Sequence, residues 1–229
     1  APELQEGLSD RASQTERQQA LASLMSRGFI REHQGYYYMG REARKVTNRQ
    51  ADTTRGNRYW RWARWFSWLI WRFPYVKGVM ISGSLSKGIM KKDGDIDYFI
   101  VTSPGRLWIC RTLLILFKKV FLLNSRKFFC LNHFIDADHL EIQDQNIFTA
   151  TEIVTAKPVY NRQLYWEFLH QNQWVSTYYP QHQQQNTDRT NPSRTGILKP
   201  LAEKLLDGKL GEKLDNWCMQ RTATYWQQK

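Results

Sequence analysis

ISGSLSKGIMKKDGDIDYFIV, residues 81–101, reads as the end of a strand, a tight glycine turn, a loop and a second strand that carries two acids. Val79, Met80 and Ile81 lead into Ser82-Gly83-Ser84; ten residues later come Asp95-Ile96-Asp97, then Tyr98, Phe99, Ile100 and Val101. Alternate side chains of a strand share a face. Asp95 and Asp97 therefore point the same way, and Ile96, Tyr98 and Ile100 point into a core. Two carboxylates side by side repel, which costs stability unless a positive charge sits between them. A hard divalent cation meets that need, because Mg²⁺ takes one or two carboxylates together with phosphate oxygens. A β-hairpin with an exposed acidic turn is the competing reading.

The surrounding charge favours the cation. Between Thr53 and Ile135 the only acids are Asp93, Asp95 and Asp97, against fifteen Lys or Arg. Acids for an ion and cations for phosphates are what a metal-bound polyphosphate needs. Two other motifs fail. Gly83 and Gly88 have the glycine spacing of a P-loop, but Lys87 precedes the second glycine and Ile89-Met90 follow it, so the phosphate-gripping lysine and hydroxyl are missing. Asp138-His139 has no partner histidine at helical spacing.

Gly83-Ser84, the ten-residue spacer and Asp95-Ile96-Asp97-Tyr98 resemble the nucleotidyltransferase superfamily of DNA polymerase β, the CCA-adding enzymes and the aminoglycoside nucleotidyltransferases. Gly83-Ser84-Leu85-Ser86-Lys87-Gly88 is similar to the Gly-Ser-x-x-Arg-Gly form of antibiotic-modifying members, with Lys87 for Arg. The resemblance spans roughly residues 58–135 in strand order. It implies an α+β fold: a mixed sheet of four to five strands with flanking helices, Asp95 and Asp97 side by side near Gly83-Ser84, and helices against one face of the sheet. It also implies a third carboxylate on the strand at 127–135. Asn132 stands mid-strand, where that acid is expected, and is a poorer ligand. Cys130, Asn132 and Phe134 share a face by alternation, and Asp136 continues that parity, so Asp136 is the candidate. Asp138 and Glu141 read as surface acids and His133 as a packed strand residue.

The 229 residues suffice for one catalytic domain with a small appendage. The net charge of +12 favours anionic partners: nucleotides, nucleic acid or an anionic membrane surface. Cys110, Cys130 and Cys218 form no CxxC pair and no disulfide framework, which fits a reducing cytoplasm. The chain opens on Ala1 rather than Met, as a truncated or processed chain would, with no visible signal peptide. The most apolar run, 107–123, is broken by Arg111, Lys118 and Lys119 and is too short and charged to span a bilayer.

In chain order, 1–14 reads as frayed, and Ser13-Gln14-Thr15-Glu16 as a capping box opening a helix to about residue 26. A hairpin follows around His33-Gln34-Gly35. Helix plus hairpin gives residues 1–50 a partial winged-helix-like character. Residues 41–56 read as a polar linker. RYWRWARWFSWLIWRF, 58–73, reads as an amphipathic helix with Trp62, Trp65, Phe66, Leu69 and Phe73 inward and Arg61, Arg64, Trp68 and Arg72 outward. Its basic, tryptophan-rich face suits bases and phosphates, a solvated surface, or a membrane interface. The catalytic domain then covers 57–160, with a strand at 76–82, a helix at 106–123 and a helix at 145–157. Residues 161–229 hold C-terminal helices at 162–174, 197–206 and 210–226 and a Gln/Asn-rich linker near 179–196.

The resulting expectation is a metal-dependent nucleotidyltransferase. It would move a nucleoside monophosphate from a nucleoside triphosphate to a hydroxyl acceptor, a small molecule or an RNA end. By the resemblance, Gly83, Ser84 and Lys87 bind the nucleotide; Asp95 and Asp97 hold two Mg²⁺ or Mn²⁺; Asp95, Asp97 and Asp136 are catalytic. Glu152 would be a base for the acceptor or a solvated helix acid. A long DNA duplex is disfavoured, because the chain lacks room for thumb and template-binding domains. The alternative is a catalytically weak nucleic-acid-binding or regulatory module that retains the fold.

Overall fold

The computed structural model describes residues 13–40, 42, 44–180 and 198–227. The readings of 1–12 as frayed and of most of 179–196 as linker lie outside the described residues. Helix α1 (Gln14–Ser26) begins at the expected capping box: Glu16 N–H donates to the Ser13 hydroxyl at 3.2 Å, and Ser13 N–H to the Glu16 carboxylate at 2.7 Å. Strands β1 (Ile30–His33) and β2 (Tyr36–Met39) pair as an antiparallel hairpin.

Helix α2 (Arg44–Trp71) runs unbroken for 28 residues, through the stretch read as a polar linker. The sequence 44–56 is polar but carries no proline, and tertiary contacts hold it. Asp52 C=O accepts from Met90 N–H, and Arg55 donates to the Asp52 carboxylate and to Met90 C=O. Gly56 lies so close to the loop after Gly88 that a Cβ there would stand 2.8 Å from Gly88 O. The buried face of α2 is also rotated from the expected one: Tyr59, Ala63, Phe66, Ser67 and Ile70 face the sheet, while Trp62 and Trp65 are half exposed, at 49% and 50%. Ala63 and Ser67 let the helix lie close to the strands, and indole rings do not fit there.

The sheet is built from β3 (Val76–Ile81), β4 (Asp97–Thr102), β5 (Cys130–Asp136) and β6 (Lys157–Tyr160) in the order β5-β4-β3-β6. The one-turn helix α3 (Gly83–Ser86) lies between β3 and β4. β4 runs antiparallel to β3 and parallel to β5, so the sheet is mixed. The parallel pair is joined by α4 (Leu107–Phe121), the crossover helix a parallel connection requires. Past β5 come α5 (Ile147–Thr155), the edge strand β6 antiparallel to β3, α6 (Arg162–Gln171) and a 3₁₀ turn at Gln173–Thr177. β6 is a strand the sequence reading passed over; Pro158 is tolerated because β6 is an edge.

Helices cover both faces of the sheet, not one. Ile96, Tyr98 and Ile100 pack with α2 and α4, as their alternation required. Phe99 and Val101, on the face that also carries Asp97, pack with Ile153 and Val154 of α5 and with Leu164 and Phe168 of α6. A β4 strand buried on both sides explains the continuous apolar run 98–101. Helices α7 (Leu198–Leu205) and α8 (Gly208–Gln227) close the end of the sheet remote from the acids. Lys199 is buried, donates to Trp71 C=O and Val76 C=O, and its ammonium is pushed down to about 8 by desolvation. Asp215 of α8 caps α4 by accepting from Ile109 N–H at 2.8 Å.

Candidate functional site

The turn after β3 and the start of β4 converge. Ser82 N–H donates to Asp97 C=O at 3.0 Å, and Gly83 turns the chain with φ +66°. A Cβ on Gly83 would stand 2.2 Å from Asp97 Oδ2, so only glycine lets this backbone rest on that carboxylate. Asp95 stands two residues before β4, and the chain beside it is pinned to the lead-in of β5: Ile96 N–H donates to Lys127 C=O and Cys130 N–H to Ile96 C=O. That pairing sets Asp97 opposite Cys130. Asp95, Asp97 and Cys130 each offer a donor atom, and these atoms all lie within 4.8 Å of one another.

The three groups perturb one another. Burial raises the Asp97 carboxyl above its ordinary range, and the charges of Asp95 and Glu152 raise it further, against a hydrogen bond from Cys130 and the charge of Lys87. Desolvation and then the two aspartate charges push the Cys130 thiol up to about 12. The thiol is therefore protonated at neutral pH and bonds to the carboxylates. Two carboxylates beside one thiol make a donor set dominated by hard oxygen, which fits Mg²⁺ or Mn²⁺.

Glu152, on α5, reaches the same turn. Its carboxylate accepts from Gly83 N–H at 2.9 Å and from Lys87 Nζ at 3.0 Å. Gly83 and Lys87, expected to meet phosphate, thus both hold an anion supplied by the chain. Ser84 sits half-buried on α3 beside them, and the neighbouring Ser82 hydroxyl is buried without a hydrogen-bond partner.

Asp136 is not at this site. β5 slips by one residue against β4: Leu131 pairs with Tyr98, and His133, not Asn132, pairs with Phe99. The extra residue reverses the alternation expected from the sequence. Phe134 consequently packs with the α2–α4 core, as Leu131 does before the slip, and Ile135 with the α5–α6 core. Asp136 falls opposite Thr102, at the other end of β4 from Asp97. Its carboxylate accepts from Gly105 N–H at 2.7 Å and Asp138 N–H at 2.9 Å, stabilising a turn. On the Asp97 face of β5 the structure places Cys130 and His133. His133 stacks obliquely on Phe99 at 5.5 Å, and burial lowers its imidazolium.

Compared with protein-family models, curated proteins and solved structures, the chain matches none. The resemblance to nucleotidyltransferases therefore rests on residues 81–101 and on what packs around them. Cys130 was legible as a strand residue but not as a neighbour of both acids. Glu152 is 69 residues from Gly83, and no local pattern joins them. An open cleft of about 610 Å³, lined by Ala51, Thr54, Arg55, Asn57, Arg58 and Arg61, lies along α2.

Proposed function

We propose that the chain is a metal-dependent nucleotidyltransferase with a polymerase β-like catalytic fold. The observation that carries this is the contact of the Gly83 backbone with the Asp97 carboxylate, beside Asp95, in a sheet whose β3–β4 pair is antiparallel and β4–β5 pair parallel. Asp95 and Asp97 are the residues that would hold Mg²⁺ or Mn²⁺. The bound ions would supply charge neutralisation for the triphosphate and a lowered pKa for the acceptor hydroxyl.

The chain's own groups prepare the site. Gly83 N–H and Lys87 Nζ are two donors at the mouth of the acids, and a triphosphate would take them from Glu152. The displaced Glu152 carboxylate is then a free acceptor near the acids, placed to take the proton of an incoming hydroxyl. The acceptor oxygen bonds to the α-phosphorus, the α–β phosphoanhydride bond breaks, and pyrophosphate leaves. Catalysis of this kind is mostly positioning and charge neutralisation. Asp136 takes no part.

A second reading is supported by two features: Glu152 already fills the donors expected for phosphate, and the third side chain beside Asp95 and Asp97 is the thiol of Cys130 and not a carboxylate. In that reading the chain is a binding or regulatory module that keeps the fold. α-Labelled triphosphates incubated with Mn²⁺, total RNA and a metabolite extract separate the two. Label transferred to an acceptor with release of pyrophosphate supports the enzyme. Calorimetric binding of triphosphate with no transfer to any acceptor supports the module, and no binding at all removes both.

A further inference from the structure

The outer surface of α2 and the C-terminal end of α4 form one face that the proposed chemistry does not use. Trp62, Trp65 and Trp68 project from α2 at 49%, 50% and 42% exposure. From α4 and the turn after it, Leu116, Val120, Phe121 and Leu123 are 56%, 58%, 70% and 90% exposed. The two groups adjoin through half-buried Phe128, which follows α4 and lies 5.6 Å from Trp62, and beneath it the buried rings of Phe66 and Phe129 run on through Phe117 to Phe121, neighbouring rings lying 5.0 to 6.1 Å apart. Leaving seven large apolar side chains outside is not what a face meeting only water requires.

The charge on this face has one sign. Arg61 and Arg64 flank the tryptophans, and Lys118, Lys119, Arg126 and Lys127 flank the α4 end. No salt bridge engages these six among the described residues. The only acids between Thr53 and Ile135 are Asp93, Asp95 and Asp97. Arg72 lies over the Trp68 ring at 3.6 Å and adds a further cation.

We infer that this face docks on an anionic lipid bilayer, with the α2 tryptophans at headgroup depth and the end of α4 entering the acyl boundary. Tryptophan, aliphatic residues and unpaired Lys or Arg on one surface are the composition that binds such an interface. Among the described residues no helix is long and apolar enough to cross a membrane, so the contact is peripheral. Nucleic acid would use the arginines and rings but has nothing to bury Leu116, Val120 and Leu123 against. A second copy of the chain would bring two basic faces together, which the charge opposes. The face borders the acids: Lys118 lies within electrostatic reach of Asp95. Docking would therefore hold the site at the lipid–water boundary. It does not depend on the site being catalytic.

The test uses the whole chain and two kinds of vesicle: phosphatidylcholine alone, and equal parts of phosphatidylcholine and phosphatidylglycerol. The expected result is co-sedimentation with the second kind only, weakened by salt. Arg61→Gln with Arg64→Gln should weaken it by about 30-fold, from roughly a fivefold loss per cation near an anionic surface. Phe121→Ser with Leu123→Ser should weaken it at least as much at unchanged charge. Lys209→Gln with Lys213→Gln, on α8, removes the same charge elsewhere and should have little effect. All variants should keep the circular-dichroism spectrum and melting of the parent. Equal binding to both vesicles, or equal losses in all three variants, would overturn the inference. Failure to sediment would also overturn it. Single-stranded RNA bound in its place, sensitive only to the arginines, would make the face a nucleic-acid surface. A dimer dissolved by the Phe121 and Leu123 changes would make it a self-interface.

Discussion

Replacing Gly83 by Ala tests the geometry of the site most directly, and Gly88→Ala is its natural control. Both glycines have positive φ, +66° and +75°. A side chain in that region costs roughly 1–2 kcal/mol. For a chain of this size that is a fall in Tm of about 2–8 °C, at ~2–4 °C per kcal/mol. The Cβ of Gly88→Ala would meet nothing within 4 Å, so it carries the backbone cost alone. The Cβ of Gly83→Ala would stand 2.2 Å from Asp97 Oδ2, nearer than atoms in non-bonded contact come, so the carboxylate must retreat by the better part of an ångström. A misplacement of roughly 1 Å at a reacting centre costs ~10²-fold in rate. The expectation is a fall in Tm of about 2–8 °C for Gly88→Ala and at least as large a fall for Gly83→Ala, measured by calorimetry without metal. Only Gly83→Ala should also lose Mn²⁺-dependent triphosphate binding in titration, and ~10²-fold in transfer. If Gly83→Ala bound Mn²⁺ and triphosphate as the parent does, or if Gly88→Ala lost as much, Asp97 would not be the group that the turn positions.

Asp97→Asn keeps the shape and removes one of two opposed charges; the metal-free variant should melt no lower than the parent, while Mg²⁺-dependent transfer falls by at least ~10²-fold, read from labelled product. Because the folded Asp97 carboxyl is raised, the folded chain holds its proton to higher pH than the unfolded chain, and metal-free stability should fall as pH rises from the unfolded value of 3.8 through the raised folded value, then level off. Melting curves across the mildly acid range should show that decline in the parent and lose this component in Asp97→Asn; saturating Mn²⁺ should raise Tm more at neutral than at acid pH. Glu152→Gln removes the carboxylate that competes for Gly83 N–H and Lys87, a half-exposed pair worth ~0.2–1 kcal/mol, so triphosphate affinity should rise by up to about fivefold by calorimetry even if transfer slows. Asp215→Ala leaves Ile109 N–H buried and uncapped, which should cost ~1–3 kcal/mol in urea unfolding with triphosphate binding unchanged.

Much of the sheet was legible because its signals are local. Asp95 and Asp97 alternate with Ile96 and Tyr98, and that two-residue repeat put Ile96, Tyr98 and Ile100 in the core. Gly83 declared a turn, and Ser13-x-x-Glu16 declared a helix start. The long α2 was misread at its polar end because Asp52, Arg55 and Gly56 are held by the loop at 88–90, a contact no window of sequence contains. Its apolar face was misread because tryptophan counts as apolar in any periodicity, whether it faces the sheet or the outside. Asp136 was misplaced because a single bulge reverses every side chain beyond it, and a bulge leaves no mark in the alternation of residue types.

What the sequence determined by itself is the two-residue spacing that brings Asp95 and Asp97 together at the start of a strand, the glycine turn before it, and a basic chain around both. These follow from the two-residue repeat of a strand and from composition, which act over a few residues. The tertiary structure alone decided that Gly83 rests on Asp97, that Cys130 and not Asp136 joins the acids, and that Glu152 holds Gly83 N–H and Lys87. Each depends on strand register and helix placement, which are set by packing between segments far apart in the chain and so are invisible in any one of them.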